Sequence, residues 1–434
     1  MITFLSFCLL TISWAYAVYD NGGMQSSWRW CVVGVALAGL LQWLVPGSEK
    51  EERPRKLDRI LVFLVLLLAF LQAVPIPLAF IRVLSPHRFG QLVAASGVIG
   101  PITAATLSSV PAATRDKVLV LAVYALVYLL VGDLRRRAWD RPWIMAAPII
   151  LIGLLEAILG LVQSYGGAEG ATGTYVNRNH FAGLLEMSLP FALMFGFFIL
   201  TRNRDRFQTP AKPTILACLF FGVAALMLVS VINSQSRMGF IAVLASLFVT
   251  GVVVGSNHFS AAAPWRRWLP VIAVGTTVVL AFVFLPTDQL IGRFATIATT
   301  QEPSEDTRKQ IWQETLPLVA AYPITGCGLG AYESCFLEYK KVAPGYTVDY
   351  AHNDYLQVMS EFGIPASAMI LTVTLLAFGT ALRGTSAGNS DRYLAIACTG
   401  ALSAILLHSF VDFNLYIPAN GMLAAWVAGL AREA

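Results

Sequence analysis

Few side chains in this 434-residue chain are equipped for chemistry. The five histidines, His87, His180, His258, His352 and His408, are scattered. They form no His-Glu-x-x-His pair and no Cys/His cluster with metal-ligand spacing. An Asp-x-Asp pair, of the kind that holds a divalent ion against a sugar nucleotide, is also missing from the sequence. The residues therefore predict chemistry without a metal or another cofactor. An anionic substrate would be held by arginine, whose planar guanidinium is permanently charged and bonds phosphate through two donors at once.

Arg237 suits that role. It stands in Asn233-Ser234-Gln235-Ser236-Arg237-Met238-Gly239, a short turn between two apolar stretches. The competing reading is an arginine snorkelling to lipid head groups. Arg308 lies on a predicted amphipathic helix, where a charge by itself reads as a solvated face. His352 opens His352-Asn353-Asp354-Tyr355-Leu356, just where the chain turns apolar again. A neutral imidazole there can accept a proton from a hydroxyl near pH 7, or it can simply anchor the chain at an interface. Glu361, nine positions later, is a candidate for orienting substrate.

The elements that must position these residues follow from composition. Apolar residues make up 57% of the chain and charged ones only 13%, against roughly a quarter charged in soluble domains. The apolar residues fall in blocks close to the ~20 needed to cross a bilayer as a helix. This excludes a disordered chain, a disulfide-rich secreted module and a cytosolic enzyme, and predicts an all-α polytopic membrane protein.

Twelve spans are expected: 4–19, 28–44, 60–80, 118–131, 144–163, 181–200, 215–232, 238–254, 269–285, 364–382, 393–411 and 417–430. Ala15-Tyr16-Ala17 looks like a signal-peptidase site, but no Lys or Arg precedes the first apolar stretch, so an uncleaved first helix is expected. Most of the 30 Lys and Arg fall in one alternate set of loops. Examples are Lys50 to Arg59, Arg135 to Arg141, Arg202 to Lys212, Arg266 and Arg267. That asymmetry predicts cytoplasmic termini. The net charge of +5 is thus a topology signal rather than a nucleic-acid patch. Three parts are expected within one integrated domain: a membrane part over 1–285, a large outward loop over 286–353, and a surface helix with the last three spans over 354–434.

Inside the loop, Ser304-Glu305-Asp306-Thr307 reads as a helix start, with Ser304 as N-cap and acids against the positive dipole end. A helix to about Ala321 would align Arg308, Ile311, Trp312 and Thr315 on one face. Gly326-Cys327-Gly328-Leu329-Gly330 lacks the spacing of a dinucleotide loop and reads as a tight turn. A second helix should start near His352 and run to Gly363. Cys8, Cys31, Cys218 and Cys398 read as packing residues. Cys327 and Cys335 share the outer loop, where an oxidising compartment would permit a disulfide.

Four segments, taken together, resemble the O-antigen ligase and polymerase family of bacterial inner-membrane glycan transferases. They are Gly173-Thr174-Tyr175…Asn177-Arg178-Asn179-His180-Phe181-Ala182, then Ser236-Arg237-x-Gly239, then Arg308…Trp312…Tyr322-Pro323…Gly326-x-Gly328-x-Gly330, and His352-Asn353-x-Tyr355-Leu356…Glu361-x-Gly363. The resemblance covers roughly residues 160–380. Two positions depart from the ligase pattern: Ile241 stands where Leu is expected, and Ala366 where Gly, Thr or Tyr is expected. The second favours a polymerase or related transferase over a ligase proper.

The resemblance implies a glycosyltransferase-C-like fold and a metal-independent enzyme. Its donor would be a glycan on a polyprenyl diphosphate, and its acceptor a hydroxyl of a lipid, a glycan or a protein on the periplasmic side. By motif, the catalytic histidine falls on His352 and the diphosphate arginines on Arg237 and Arg308. Asn177, Arg178, Asn179, His180, Asn353, Tyr355 and Glu361 are the expected substrate contacts, although Asn177 or Asn179 also suits a helix cap. His408 and Asp412, at i and i+4, are expected to pair. Glu156 reads as a hydrogen-bonded core acid, and Val74-Pro75-Ile76-Pro77 as a kink or cavity wall in the third span. The rival reading is a transporter of a small solute or a lipid-linked glycan, which would place its charges at mid-membrane.

Overall fold

Apolar segments in hydrocarbon must satisfy their own backbone hydrogen bonds, and here they do so as helices. The computed structural model describes residues 1–24, 28–45, 56–137, 141–202, 211–258, 305–341, 347–387 and 391–432. In chain order the helices are α1 (Ile2–Tyr19), α2 (Trp28–Trp43), α3 (Lys56–Ala73), α4 (Leu78–Leu84), α5 (Pro86–Ile99), α6 (Pro111–Arg137), α7 (Ala147–Tyr165), α8 (Arg178–Arg202), α9 (Ala211–Asn233) and α10 (Arg237–His258). After residue 304 follow α11 (Glu305–Ala321), α12 (Tyr332–Phe336), α13 (Asp354–Gly384), α14 (Arg392–His408) and α15 (Pro418–Arg432).

Among the described residues, seven helices are long and apolar enough to cross a membrane: α1, α6, α7 with its preceding turn, α8, α9, α10 and α13. The chain is a polytopic α-helical membrane protein. The expected spans at 28–44, 393–411 and 417–430 are helical over nearly all of their length, and 60–80 is helical except at residues 74–77. Of these, α2, α14 and α15 are shorter, and α3 opens with Lys56, Asp58 and Arg59. The expected ninth span, 269–285, lies outside the described residues. So do Ser304, the loop through 286–304, and the basic residues Lys50, Arg53, Arg55, Arg204, Arg206, Arg266 and Arg267.

At Val74–Pro77 the expectation of a kinked span is corrected. α3 ends at Ala73, and Ile76–Pro77 pairs antiparallel with Ala104–Ala105 as a two-residue ladder. Two consecutive X-Pro steps exclude the helical conformation there, and the extended backbone finds a partner strand instead.

The centre of the bundle is α8, α14 and α15, whose side chains are buried almost all round. α1 belongs to the same core: Trp14 is fully buried, donates to the Ala419 carbonyl at 3.0 Å and packs against Trp426. At the end of the bundle that holds the C-terminus of α15, charges are tied together. Arg432 meets Asp58 at 2.8 Å, the Tyr128 hydroxyl donates to the same carboxylate at 2.9 Å, and Arg135 reaches Asp391 at 3.0 Å.

The opposite end is organised by a break in α13. Gly363 has φ +78°, and a Cβ there would meet the Ile324 carbonyl. Pro365 has no N–H for the Glu361 carbonyl, and the break turns Ile364 N–H away from Ser360, so both carbonyls lose their helical partners. The turn after α11 replaces them: Cys327 N–H donates to Ser360 at 2.9 Å and Gly328 N–H to Glu361 at 3.0 Å, while Ile364 N–H returns to Pro323 at 2.8 Å. The expected tight turn is thus present, with Gly326, Gly328 and Gly330 all at positive φ.

Candidate active site

Three segments distant in sequence meet at this end of the bundle. The first is Asn177–His180, at the start of α8. Asn177 caps that helix, its side chain accepting from Asn179 N–H at 2.7 Å. The stretch before it is held by Glu156, which accepts from Thr174 N–H at 2.9 Å and from the Thr174 hydroxyl at 3.0 Å. Tyr175 OH donates to Asn420, which in turn donates to the His180 carbonyl at 2.8 Å.

The second segment is the loop before α13. His352 adopts φ +48°, a left-handed conformation uncommon for a residue with a Cβ. Its backbone is held by Trp312, whose Nε1 donates to the carbonyls of Ala351 at 2.9 Å and His352 at 3.3 Å. α13 begins two residues after His352, at Asp354. Asn353 is its N-cap, accepting from Leu356 N–H at 3.0 Å and donating to the Phe410 carbonyl at 2.9 Å.

The third segment is the turn after α14, residues 409–413. It carries Asp412, whose Oδ1 lies 3.7 Å from His352 Nδ1 and 3.9 Å from His180 Nε2. Both imidazoles stand edge-on to Phe413, at 5.0 and 4.8 Å between ring centroids, and Tyr350 stacks on the same ring at 4.1 Å. Burial pushes the Asp412 carboxyl up, but His352, His180, Arg308 and His408 outweigh it and hold the group well below its ordinary range. Asp412 is therefore an ionised carboxylate at 2% exposure, shared by two histidines and within the field of Arg308. His352 is 17% exposed, which leaves it reachable.

The expected His408–Asp412 side-chain pair is corrected. The closest partner of His408 is instead Glu186 on α8, whose Oε2 lies 2.9 Å from its Nδ1. Four-residue spacing puts two side chains on one face only while the helix continues, and α14 ends at His408.

The other candidates fall into two groups. Arg237 is the first residue of α10, whose N-cap Ser236 accepts from Gly239 N–H at 3.1 Å. Gly239 lies against Ala182, so the first turns of α10 and α8 touch and Arg237 shares the end of the bundle with His180. Arg178 starts α8 beside it.

Tyr355 and Glu361 are committed to packing. The Tyr355 hydroxyl donates to the Leu406 carbonyl at 2.8 Å. Glu361 is 1% exposed and accepts from Tyr332 N–H, Gln357 and the Tyr416 hydroxyl at 3.2, 3.1 and 2.9 Å, which makes it a tie between α13 and the segment after α11. Cys327 and Cys335 are buried with free thiols, without the disulfide that their shared loop would permit.

Behind the His352 loop lies a cavity of about 580 Å³ between α3, α6, α13, α14 and α15. Its walls are mostly apolar, with Val65, Leu121, Phe362 and Leu402 among them, and Asp354 and Tyr355 border it next to His352.

Residues 222–371 match the family model described as O-antigen ligase. That segment is a domain of the O-antigen ligase and polymerase family. The O-antigen ligase domain contains Arg237, Arg308, His352, Asn353, Tyr355 and Glu361, whereas His180, Glu186, His408 and Asp412 lie outside the matched segment. In general terms the domain supports a membrane ligase or polymerase of glycans. No curated protein matches the chain.

Sequence reasoning missed Glu186 and the placement of Asp412. Each is an acid set within or next to an apolar span, where a charge is costly unless paired. That cost was the available signal.

Proposed function

We propose that this protein transfers a glycan from a polyprenyl diphosphate to an acceptor hydroxyl on the outer face of a bacterial inner membrane. The observation that carries the proposal is the buried, ionised Asp412 beside His352 Nδ1, with Arg308 acting on the same carboxylate. Asp412 orients the imidazole and offsets the positive charge it gains as the far ring nitrogen, Nε2, takes the acceptor's proton. The freed oxygen bonds to the sugar's anomeric carbon as the bond from that carbon to the diphosphate breaks. Arg237 and Arg308 hold the diphosphate and stabilise the charge it gains on leaving. His180, on the other side of Asp412, is placed for contact with the sugar or phosphate.

The apolar cavity behind His352 lies within the ~300–1,000 Å³ range of ligand pockets and suits the first isoprene units of the carrier. A substrate whose reactive end meets the outer surface while its tail stays in lipid needs this combination. The cluster of charge at one end of the bundle favours a transferase over a transporter, which needs its charges at mid-membrane.

The test is transfer in proteoliposomes, with a polyprenyl-diphosphate oligosaccharide and purified lipid, glycan and protein acceptors added one at a time. His352→Ala should reduce product to background. Equal product from wild type and His352→Ala would remove the general-base role, and no product above background from wild type with any acceptor would remove the transferase reading.

A further inference from the structure

Glu186 and His408 are titratable groups that the proposed transfer step leaves unused. Both are 0% exposed, and their closest atoms are 2.9 Å apart. Glu186 sits two turns into α8, the helix whose first turn presents His180. His408 is the last residue of α14, and its carbonyl accepts from Val411 N–H at 3.0 Å and Asp412 N–H at 3.2 Å. The turn that carries Asp412 is therefore built on His408, and the His408 side chain pins that turn to α8.

We infer that the Glu186–His408 pair positions the active site, anchoring the turn of Asp412 and keeping a cation behind its carboxylate. This inference rests on the reading of His352 as base and Asp412 as its partner.

Two fully buried ionisable groups are costly unless they satisfy each other, and neither reaches the cavity. The pair is neutral as a unit wherever the proton sits, but the location of the proton matters. On His408 the charge complements the negative end of the α14 dipole. It then faces three carboxylates: Glu186 on α8, Asp412 on the turn, and Asp354 at the start of α13. Asp412 in turn faces His352, His180 from α8, Arg308 from α11, and His408. Glu186, His408 and Asp412 thus alternate in charge, and His352 stands next in line on the far side of Asp412. The pair acts through Asp412 and touches no substrate, so both members are positioning residues.

The alternation has a measurable sign. Glu186→Gln keeps a hydrogen-bond acceptor for His408 but removes the charge that holds its proton. His408 then becomes neutral, and Asp412 and His352 lose a nearby cation. The more distant negative charge lost at position 186 compensates only in part.

The test has two arms on the full-length protein in detergent or proteoliposomes. In the first, ¹⁵N-histidine NMR at pH 8, where an ordinary histidine is neutral, should show an imidazolium that disappears in His408→Gln and turns neutral in Glu186→Gln. In the second, Glu186→Gln should slow transfer several-fold and move the acidic limb of the rate–pH profile to higher pH. Glu186→Asp should restore both the imidazolium and the profile. The double variant Glu186→Gln/His408→Gln keeps a neutral hydrogen-bonded pair; it should reproduce the shifted profile, and it serves if Glu186→Gln alone does not fold.

A neutral His408 in the wild type would overturn the inference. So would a slower Glu186→Gln enzyme with an unmoved profile, which marks a purely structural pair. Full transfer by His352→Ala would instead sink the base assignment and leave the NMR arm standing.

Discussion

Asp412→Asn is the most informative single change, because it removes a charge and almost no volume. In the structure Asp412 Oδ1 stands 3.7 Å from His352 Nδ1. Two unit charges about 4 Å apart attract by about 4 kcal/mol at an effective dielectric near 20. The partial exposure of His352 and the competing pull of His180 and Arg308 reduce what one histidine receives. After that discount, a carboxylate in this position stabilises positive charge forming beside it in the transition state by ~1–4 kcal/mol. If His352 takes a proton in the transition state, the variant loses that stabilisation where it matters, and kcat should fall by ~10- to 1,000-fold. KM for the donor should change little, since the arginines remain. The acidic limb of the rate–pH profile should move to lower pH, opposite to the direction expected for Glu186→Gln. The assay is single-turnover transfer of a fluorescent oligosaccharide from polyprenyl diphosphate in nanodiscs, with thermal unfolding as a check on folding. An Asp412→Asn enzyme within about twofold of wild-type kcat, or one whose loss lies wholly in KM, would refute the reasoning.

Three further outcomes are expected. Arg308→Lys keeps the charge but loses the planar fork, and should weaken donor use by ~10-fold or more in kcat/KM; an unchanged value would argue against bidentate contact with phosphate. Gly363→Ala forces a Cβ into the left-handed region and against the Ile324 carbonyl, so it should destabilise the fold by ~1–3 kcal/mol, read as a lower Tm. Asp412 is held below its ordinary value of 3.8, so its stabilising contribution is complete above that pH and declines as pH falls towards the folded value. The Tm gap between wild type and Asp412→Asn should therefore be widest near neutral pH and narrow below about pH 4, whereas a gap that widens in acid would contradict the burial of an ionised Asp412.

Much of this was legible in the sequence because it is local. Hydropathy over a window of one helix length placed most of the helices. The capping role open to Asn177, the turn at Gly326–Gly330, and the helix over residues 305–321 each depend on a handful of neighbouring residues. Glu156 as a hydrogen-bonded core acid was readable for a different reason, since a lone acid in an apolar span must find donors. The likeness of the segments around Arg237, Arg308 and His352 to the O-antigen ligase family likewise needed only their order along the chain.

What tertiary structure decided is how those segments meet. His352 and Asp412 are sixty positions apart, Glu186 and His408 more than two hundred, and helical periodicity names a face without naming what packs against it. The end of α14 at His408 undid the i, i+4 pairing that spacing suggested, sending one side chain to Glu186 and the other towards His352 and His180. The break at Gly363 drew Glu361 inward to satisfy the turn after α11. In an apolar bundle each charge must find a partner wherever the fold provides one, and that demand is settled through space rather than along the chain.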